Sequence, residues 1–122
     1  MRYVGIDYHK RYSVLCATDE RGQELKRRRI NGNSASGFAQ FFSELGEESK
    51  VVMEACWNWG WLYDLLAKID QVEEVVLAHP YKTRLIAEAQ IKTDRIDAQM
   101  LAKLLRGDLI AQSRAQRWHA RA

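Results

Sequence analysis

Cysteines are scarce in this sequence, with only Cys16 and Cys56 among 122 residues. Neither belongs to a CxxC or Cys/His pattern, which argues against a disulfide framework and against a zinc site. Both lie in apolar runs and are expected to be buried thiols of a protein from a reducing compartment. No apolar run approaches the roughly 18 residues of a membrane span, and the first residues, MRYVGIDYHK, are too polar for a signal peptide. We therefore expect a cytoplasmic protein without a membrane segment.

A strong excess of charge is also absent, since the formal net charge is +3. This value is compatible with a polyanionic partner such as nucleic acid but does not require one. The hydrophobic content is 47%, and a chain of this length can bury well over half of its unfolded surface. We expect one compact domain over residues 1–109 and no linker within it.

The first part of the sequence predicts an antiparallel meander. Residues 3–7 form a short apolar run, and residues 12–18 are rich in β-branched and aromatic side chains, so both are predicted to be strands. The Asp19-Glu20-Arg21-Gly22 segment predicts a turn, followed by a third strand over residues 23–30. Because the connections are short, these three strands are expected to pair with their neighbours in sequence.

Helices and strands alternate in the second part. Ser34 is a suitable N-cap for a helix whose apolar residues recur at helical spacing and whose stop signal is Gly46. Further elements are predicted as a strand over 50–54, a helix over 61–69 with Trp61, Leu62, Leu65 and Ile69 inward, a strand over 74–78, a helix after Pro80, and a last helix from Thr93 to Arg106.

A meander followed by βα units indicates an α/β fold with a mixed five-stranded sheet and helices on both faces. RNase H-like domains have this plan. Residues 110–122 contain basic side chains and no acid, in a composition that favours a helix. We expect that segment to begin a helical linker toward a further, carboxy-terminal part of the protein.

Four acids from distant parts of the chain are candidates for one site. Asp7 ends the first strand and Glu54 ends the fourth, and in the expected sheet these strands are parallel neighbours. Asp94 and Asp97 open the last predicted helix, where their spacing places them on the same face as its core leucines. Clustered acids repel one another without a cation, and a set of hard oxygen ligands favours Mg²⁺ or Mn²⁺. Two such ions can promote phosphodiester cleavage or strand transfer.

Each of these residues also has a structural explanation. Acids in a first helical turn commonly interact with the helix dipole, which could account for Asp94 or Asp97 singly. Aspartate at a strand end is often a turn former, as Asp7 could be. Glu54 is harder to explain in this way, because its flanks are apolar and an unpaired acid is rare there. Taken together, the four positions favour the metal site.

The remaining candidates concern nucleic acid. Trp57 and Trp59 follow Glu54 and could stack on unpaired bases, although a place in the core is the alternative. The run Lys26-Arg27-Arg28-Arg29 alternates between faces and predicts a solvated edge strand. His9 and Lys10 could contact a phosphate, although a polar turn after the strand is the simpler interpretation. Better candidates for phosphate contacts flank the proposed acids, namely Lys82, Arg84, Lys92 and Arg95.

The motifs VGIDYHK, VVMEAC, HP and KTDRIDAQMLAKLL together resemble the RuvC-like, DEDD-type domain of insertion-sequence recombinases of the one-ten family. The likeness extends from about Tyr3 to Leu109. It implies that Asp7, Glu54, Asp94 and Asp97 bind magnesium. The most specific of these motifs is KTDRIDA with the Leu-Ala that follows it. The likeness also implies a DNA substrate, a structured guide RNA, homo-oligomers of the full-length protein, and a nucleophilic serine on a carboxy-terminal domain. Without that serine, this chain alone is expected neither to cut nor to join DNA.

Two other functions remain open from the sequence. A stand-alone junction resolvase or RNase H-type nuclease would share the fold and the metals, and would cleave branched DNA or hybrids by itself. A non-catalytic nucleic-acid or protein-interaction module would have structural acids and would not bind Mg²⁺ or Mn²⁺. A sugar-kinase or actin-like ATPase is excluded, because Tyr8, His9 and Lys10 stand where a glycine-rich phosphate turn is needed.

Overall fold

The structure, a computed structural model, describes residues 1–79, 97–108 and 118–119. The predicted helix after Pro80 and most of the expected carboxy-terminal linker lie outside these residues. The described strands are β1 (Arg2–Tyr8), β2 (Tyr12–Thr18), β3 (Glu24–Asn31), β4 (Ser49–Glu54), β5 (Val72–Ala78) and β6 (Trp118–His119). The described helices are α1 (Ala35–Leu45), α2 (Trp59–Ala67) and α3 (Ala98–Arg106).

One mixed sheet contains all of these strands, in the order β3-β2-β1-β4-β5-β6. The first three strands are antiparallel, and β1, β4 and β5 run parallel to one another. This confirms the predicted meander followed by βα units and gives the RNase H-like arrangement. The sheet has one short strand more than predicted, because β6 pairs antiparallel with β5. At these two residues the predicted exit helix is therefore wrong.

Helices α1 and α2 cover one face of the sheet. As predicted, the Ser34 side chain caps α1 by accepting a hydrogen bond from the Gly37 N–H, and Gly46 ends the helix in the left-handed conformation. The three phenylalanines of α1 are fully buried against β-strand side chains such as Val4 and Ile6. This cluster is the larger of the two apolar cores among the described residues.

Helix α2 corrects the prediction for Trp61, which was expected to point inward and is instead 42% exposed. Leu62 and Leu66, four residues apart, face the core, and the half-buried Trp59 and Tyr63 extend their stripe. Because successive helical residues are about 100° apart around the axis, Trp61 projects about 100° away from Leu62. The Trp61 ring is in an edge-to-face arrangement with Phe38 of the core, with 6.4 Å between the ring centroids.

Helix α3 covers the opposite face and packs directly on β1 at Gly5. A Cβ atom at Gly5 would clash with the Ala98 carbonyl oxygen and would lie 2.7 Å from the Ala102 nitrogen, so only glycine allows this approach. At the other end of the helix, the Arg106 side chain adjoins Gly22 in the turn after β2. Helix α3 therefore starts at the carboxyl end of β1 and runs antiparallel to it.

The second apolar core lies under α3. Leu101, Leu104 and Leu105 are buried there, as predicted, against Val52 and Val76 of the sheet. No helix among residues 1–79 and 97–108 is long and apolar enough to cross a bilayer.

Candidate functional site

Asp7 and Glu54 lie beside each other at the carboxyl ends of two parallel strands. The last aligned pair of β1 and β4 is Ile6 with Met53, and each acid is the next residue of its strand. Neighbouring strands are about 5 Å apart, so the two backbones are in contact at this point. Since Ile6 and Met53 point into the α1–α2 core, the two acids point to the α3 face. We call these two residues the carboxylate pair.

The negative charge of this pair affects the pKa of the half-buried Cys56 thiol. Burial is the largest cause of its raised pKa, and the charges of Glu54 and then Asp7 raise the pKa further. Both carboxylates therefore act electrostatically on one point just beyond β4. The side-by-side placement of Asp7 and Glu54 agrees with the sequence prediction, and their sharing of a cation stays a prediction.

His9 is a partner of Asp7 that the sequence predicts only as part of a polar turn or as a phosphate contact. Its Nε2 atom lies 3.0 Å from Asp7 Oδ2, within ion-pair distance, although the ring nitrogen is not aligned for a hydrogen bond. The ring also stacks on Tyr12 at 4.5 Å between centroids, and the His9 N–H donates to the Tyr12 carbonyl across the β1–β2 turn. The i, i+2 spacing of Asp7 and His9 was the signal that could have revealed the contact.

Asp97 is the N-cap of α3, which corrects the predicted start of that helix at Thr93. Its backbone is extended (φ −110°, ψ −178°), and its Oδ1 atom accepts a hydrogen bond from the Met100 N–H at 2.9 Å. Asp97 therefore precedes the helix instead of lying on its face with Asp94. Asp94 itself lies outside the described residues.

The charge of Asp97 acts toward β2 and β3. Burial is the main cause that raises the pKa of Cys16 to about 12, with smaller contributions from Glu24 and from Asp97. The raised pKa of Arg27 is due first to its hydrogen bond with Glu24, and Asp97 contributes to it as well. Asp97 thus adds negative charge to the α3 face, on the β2–β3 side of the carboxylate pair.

The described residues contain no group of three Asp, Glu, His or Cys side chains close enough to hold a metal ion. Within them, the structure brings together two of the four predicted ligands, Asp7 and Glu54, and places Asp97 at the start of the adjoining helix. The four predicted phosphate contacts, Lys82, Arg84, Lys92 and Arg95, are outside the described residues. Those positions stay predictions.

The two candidate tryptophans are in different environments. Trp57 is 55% exposed, with Lys10 Nζ 5.4 Å from its ring centroid and Tyr8 tilted beside it. Trp59 is half-buried and packs edge-on against Tyr63 at 5.8 Å, at the margin of the α1–α2 core. The position of Trp57 is suited to base stacking, whereas that of Trp59 favours the alternative role in the core.

The sequence model of the IS110-type DEDD transposases matches residues 4–121. The chain belongs to this transposase family. No match was found among curated proteins. The match confirms the resemblance drawn from the sequence motifs, and membership in a transposase family implies that DNA is the substrate.

Proposed function

We propose that this chain is the metal-dependent catalytic domain of a transposase, in which the cleavage and transfer of DNA strands by the full-length protein take place at the carboxylate pair. The observation that carries the proposal is the placement of Asp7 and Glu54 side by side on one face, at the carboxyl ends of parallel strands. Use of a guide RNA and assembly into homo-oligomers belong to the proposal only through the family resemblance.

The carboxylate pair fits a hard divalent cation. Its donors are carboxylate oxygens, which Mg²⁺ and Mn²⁺ prefer, and the strand register places the two acids side by side. Asp7 and Glu54 would hold the metal, with Asp94 and Asp97 as the proposed further ligands. When bound, such ions activate the attacking oxygen and stabilise the leaving oxygen of a phosphodiester.

The residues around the pair would orient its acids. His9 contacts Asp7 Oδ2 and restricts the carboxylate on that side. The hydrogen bond from Met100 fixes one oxygen of Asp97, so the carboxylate stays at the N-terminus of α3. Helix α3 packs on Gly5, two residues before Asp7, and this contact sets where its N-terminus lies.

A titration with Mn²⁺ tests the proposal. We expect the metal to raise the melting temperature of the chain, because a ligand that binds only the folded state adds about 2.7 kcal/mol at a hundredfold excess over Kd. Asp7→Asn and Glu54→Gln should each remove most of this stabilisation. Asp70→Asn is the matched control, since Asp70 is exposed and lies in the turn before β5, at the opposite end of the parallel strands.

Two results would contradict the proposal. A metal response that survives in Asp7→Asn and Glu54→Gln would place the cation elsewhere. A chain that binds neither Mn²⁺ nor Mg²⁺ in calorimetry would favour the non-catalytic interaction module.

A further inference from the structure

The four basic residues of β3, Lys26 to Arg29, differ in their ion-pair partners. Lys26 and Arg28 form ion pairs with Glu44 of α1, and Arg27 forms one with Glu24. Arg29 is exposed, and in the part of the chain that the structure describes it has no carboxylate within ion-pair distance. Its charge is therefore the one in this run that no described acid neutralises.

Two contacts hold the Arg29 side chain in place. Its guanidinium carbon lies 3.8 Å from the centroid of the Tyr12 ring, which is a close cation–π contact. Its Nε atom donates a hydrogen bond to Asn31 Oδ1 at 2.9 Å. Neither contact engages the two terminal nitrogens, so the outer edge of the guanidinium keeps the geometry that binds a phosphate through two hydrogen bonds.

Arg29 lies on the same face of the sheet as the carboxylate pair. Asp7 is aligned with Val14 on β2, and Val14 is aligned with Arg29 on β3. Residues aligned across strands project to the same side, and two strand spacings amount to about 10 Å. The rings of Tyr12 and His9 are stacked between them, and His9 contacts Asp7. A continuous row of side chains thus connects Arg29 with the carboxylate pair.

We propose that Arg29 binds a backbone phosphate of the DNA whose reacting phosphodiester lies at the carboxylate pair, and that Tyr12 is the positioning residue for Arg29. This inference rests on the proposed function for the identity of the ligand. A guanidinium that is already held loses little conformational freedom when a phosphate binds. Because the contact is with the backbone, it contributes affinity and salt dependence but no sequence preference.

The test compares Arg29→Gln with Arg28→Gln. The two variants remove the same charge from adjacent positions, but Arg28 is paired with Glu44. Binding of the full chain to a mixed-sequence DNA duplex is measured by fluorescence anisotropy over a range of salt concentrations, in the presence of a chelator. We expect Arg29→Gln to weaken binding about tenfold at low salt and to reduce the slope of log affinity against log salt by about 0.9. Arg28→Gln should change the slope little.

A second pair of variants tests the role of Tyr12. Tyr12→Phe keeps the ring under the guanidinium and should bind DNA as the unmodified chain does. Tyr12→Leu removes the ring and should lower the affinity toward that of Arg29→Gln while retaining the salt slope, since the charge is still present. Thermal melts of all four variants identify any that fail to fold, and Arg29→Lys then replaces an unfolded Arg29→Gln, with lower affinity and an unchanged slope expected.

Three outcomes would overturn the inference: equal losses in Arg28→Gln and Arg29→Gln, no DNA binding by the unmodified chain at low salt, or an Arg29 effect confined to an RNA duplex. Because the measurement is made without metal, its failure is distinguishable from failure of the carboxylate pair to bind Mn²⁺. An Arg29 effect in a chain that binds no metal would leave the DNA contact standing and contradict the metal-dependent function alone.

Discussion

Cys16 shows how the environment of a single residue removes its reactivity. Its side chain is fully buried on β2, and the thiol donates a hydrogen bond to Glu24 Oε1 at 3.1 Å. Burial, and then this hydrogen bond and the charge of Glu24, raise the pKa of the thiol from 9.0 to about 12. Because the thiolate is the nucleophilic form, Cys16 is inert near neutral pH.

This pKa predicts a dependence of stability on pH. The folded-state pKa is higher than the unfolded value, so the neutral thiol contributes stability that is complete below pH 9.0 and decreases as the pH rises toward about 12. Denaturant titrations at several values in this window should show a steeper loss for the unmodified chain than for Cys16→Ala. Tyr8, Tyr63 and Cys56 also have raised pKa values, but they are common to both proteins. Equal losses would contradict the burial of the Cys16 thiol.

The role of Asp97 as a helix cap and its proposed role as a metal ligand can be separated by substitution. Asparagine keeps the side-chain oxygen that accepts the hydrogen bond from Met100, whereas alanine removes it. We expect Asp97→Ala to lower the free energy of unfolding by about 1 kcal/mol and Asp97→Asn to leave it nearly unchanged. If Asp97 is also a metal ligand, both variants should weaken Mn²⁺ binding in calorimetry. Normal Mn²⁺ binding by Asp97→Asn would show that Asp97 is only a helix cap.

At the scale of elements, the contact between α3 and β1 is the one that brings a helix N-terminus to the carboxylate pair. Gly5 permits it, because the backbone of α3 occupies the space where any other residue would have its Cβ atom. The first turn of α3 lies over Gly5, and Asp97 immediately precedes that turn. The position of Asp97 therefore depends on a residue that carries no functional group.

We predict that Gly5→Ala destabilises the chain by about 3 kcal/mol, the upper end of what overpacking costs, because the clash is with backbone atoms. The control is Gly60→Ala in α2, where a new Cβ would meet no atom within 4 Å. That change should be neutral or stabilise by up to about 1 kcal/mol, since alanine is the better helix former. Urea denaturation measures both. A Gly5→Ala chain as stable as the control would show that α3 does not pack this closely on β1.

At the scale of the whole molecule, the sheet separates the larger apolar core from the candidate site. The larger apolar core and helices α1 and α2 occupy one side. The carboxylate pair, His9, Tyr12 and Arg29 share the other side with α3. Carboxylates and an arginine on the same face of the sheet can contact the same bound DNA strand, the arginine through a backbone phosphate.

We predict that the chain by itself does not nick supercoiled plasmid in the presence of Mn²⁺. A formal net charge of +3 offers few phosphate contacts to hold a plasmid in register, and the family resemblance implies that the nucleophilic serine is carried by a carboxy-terminal domain. Gel analysis of plasmid topology tests this expectation, with Glu54→Gln as the control. Nicking that disappears in Glu54→Gln would show a self-sufficient nuclease and would favour the resolvase-like alternative.

Local sequence patterns determined the elements and their order. The bounds of β2 match the prediction, and those of β1, β3, β4 and β5 differ from it by one or two residues. The Ser34 and Gly46 signals place α1 correctly, because capping depends on residues next to each other in the chain. Parallel pairing of β1 with β4 followed from the order of elements, and it was enough to predict that Asp7 and Glu54 are neighbours.

Contacts between distant residues decided what the patterns could not. Trp61 points outward because the core selects the Leu62–Leu66 stripe, and the position of Asp97 relative to the sheet follows from the packing of α3 on Gly5. The contact of His9 with Asp7 and the stacking of Arg29 on Tyr12 arise from the β1–β2 turn and the β2–β3 register. Composition and spacing describe one segment at a time, whereas these contacts depend on the positions of two segments in space.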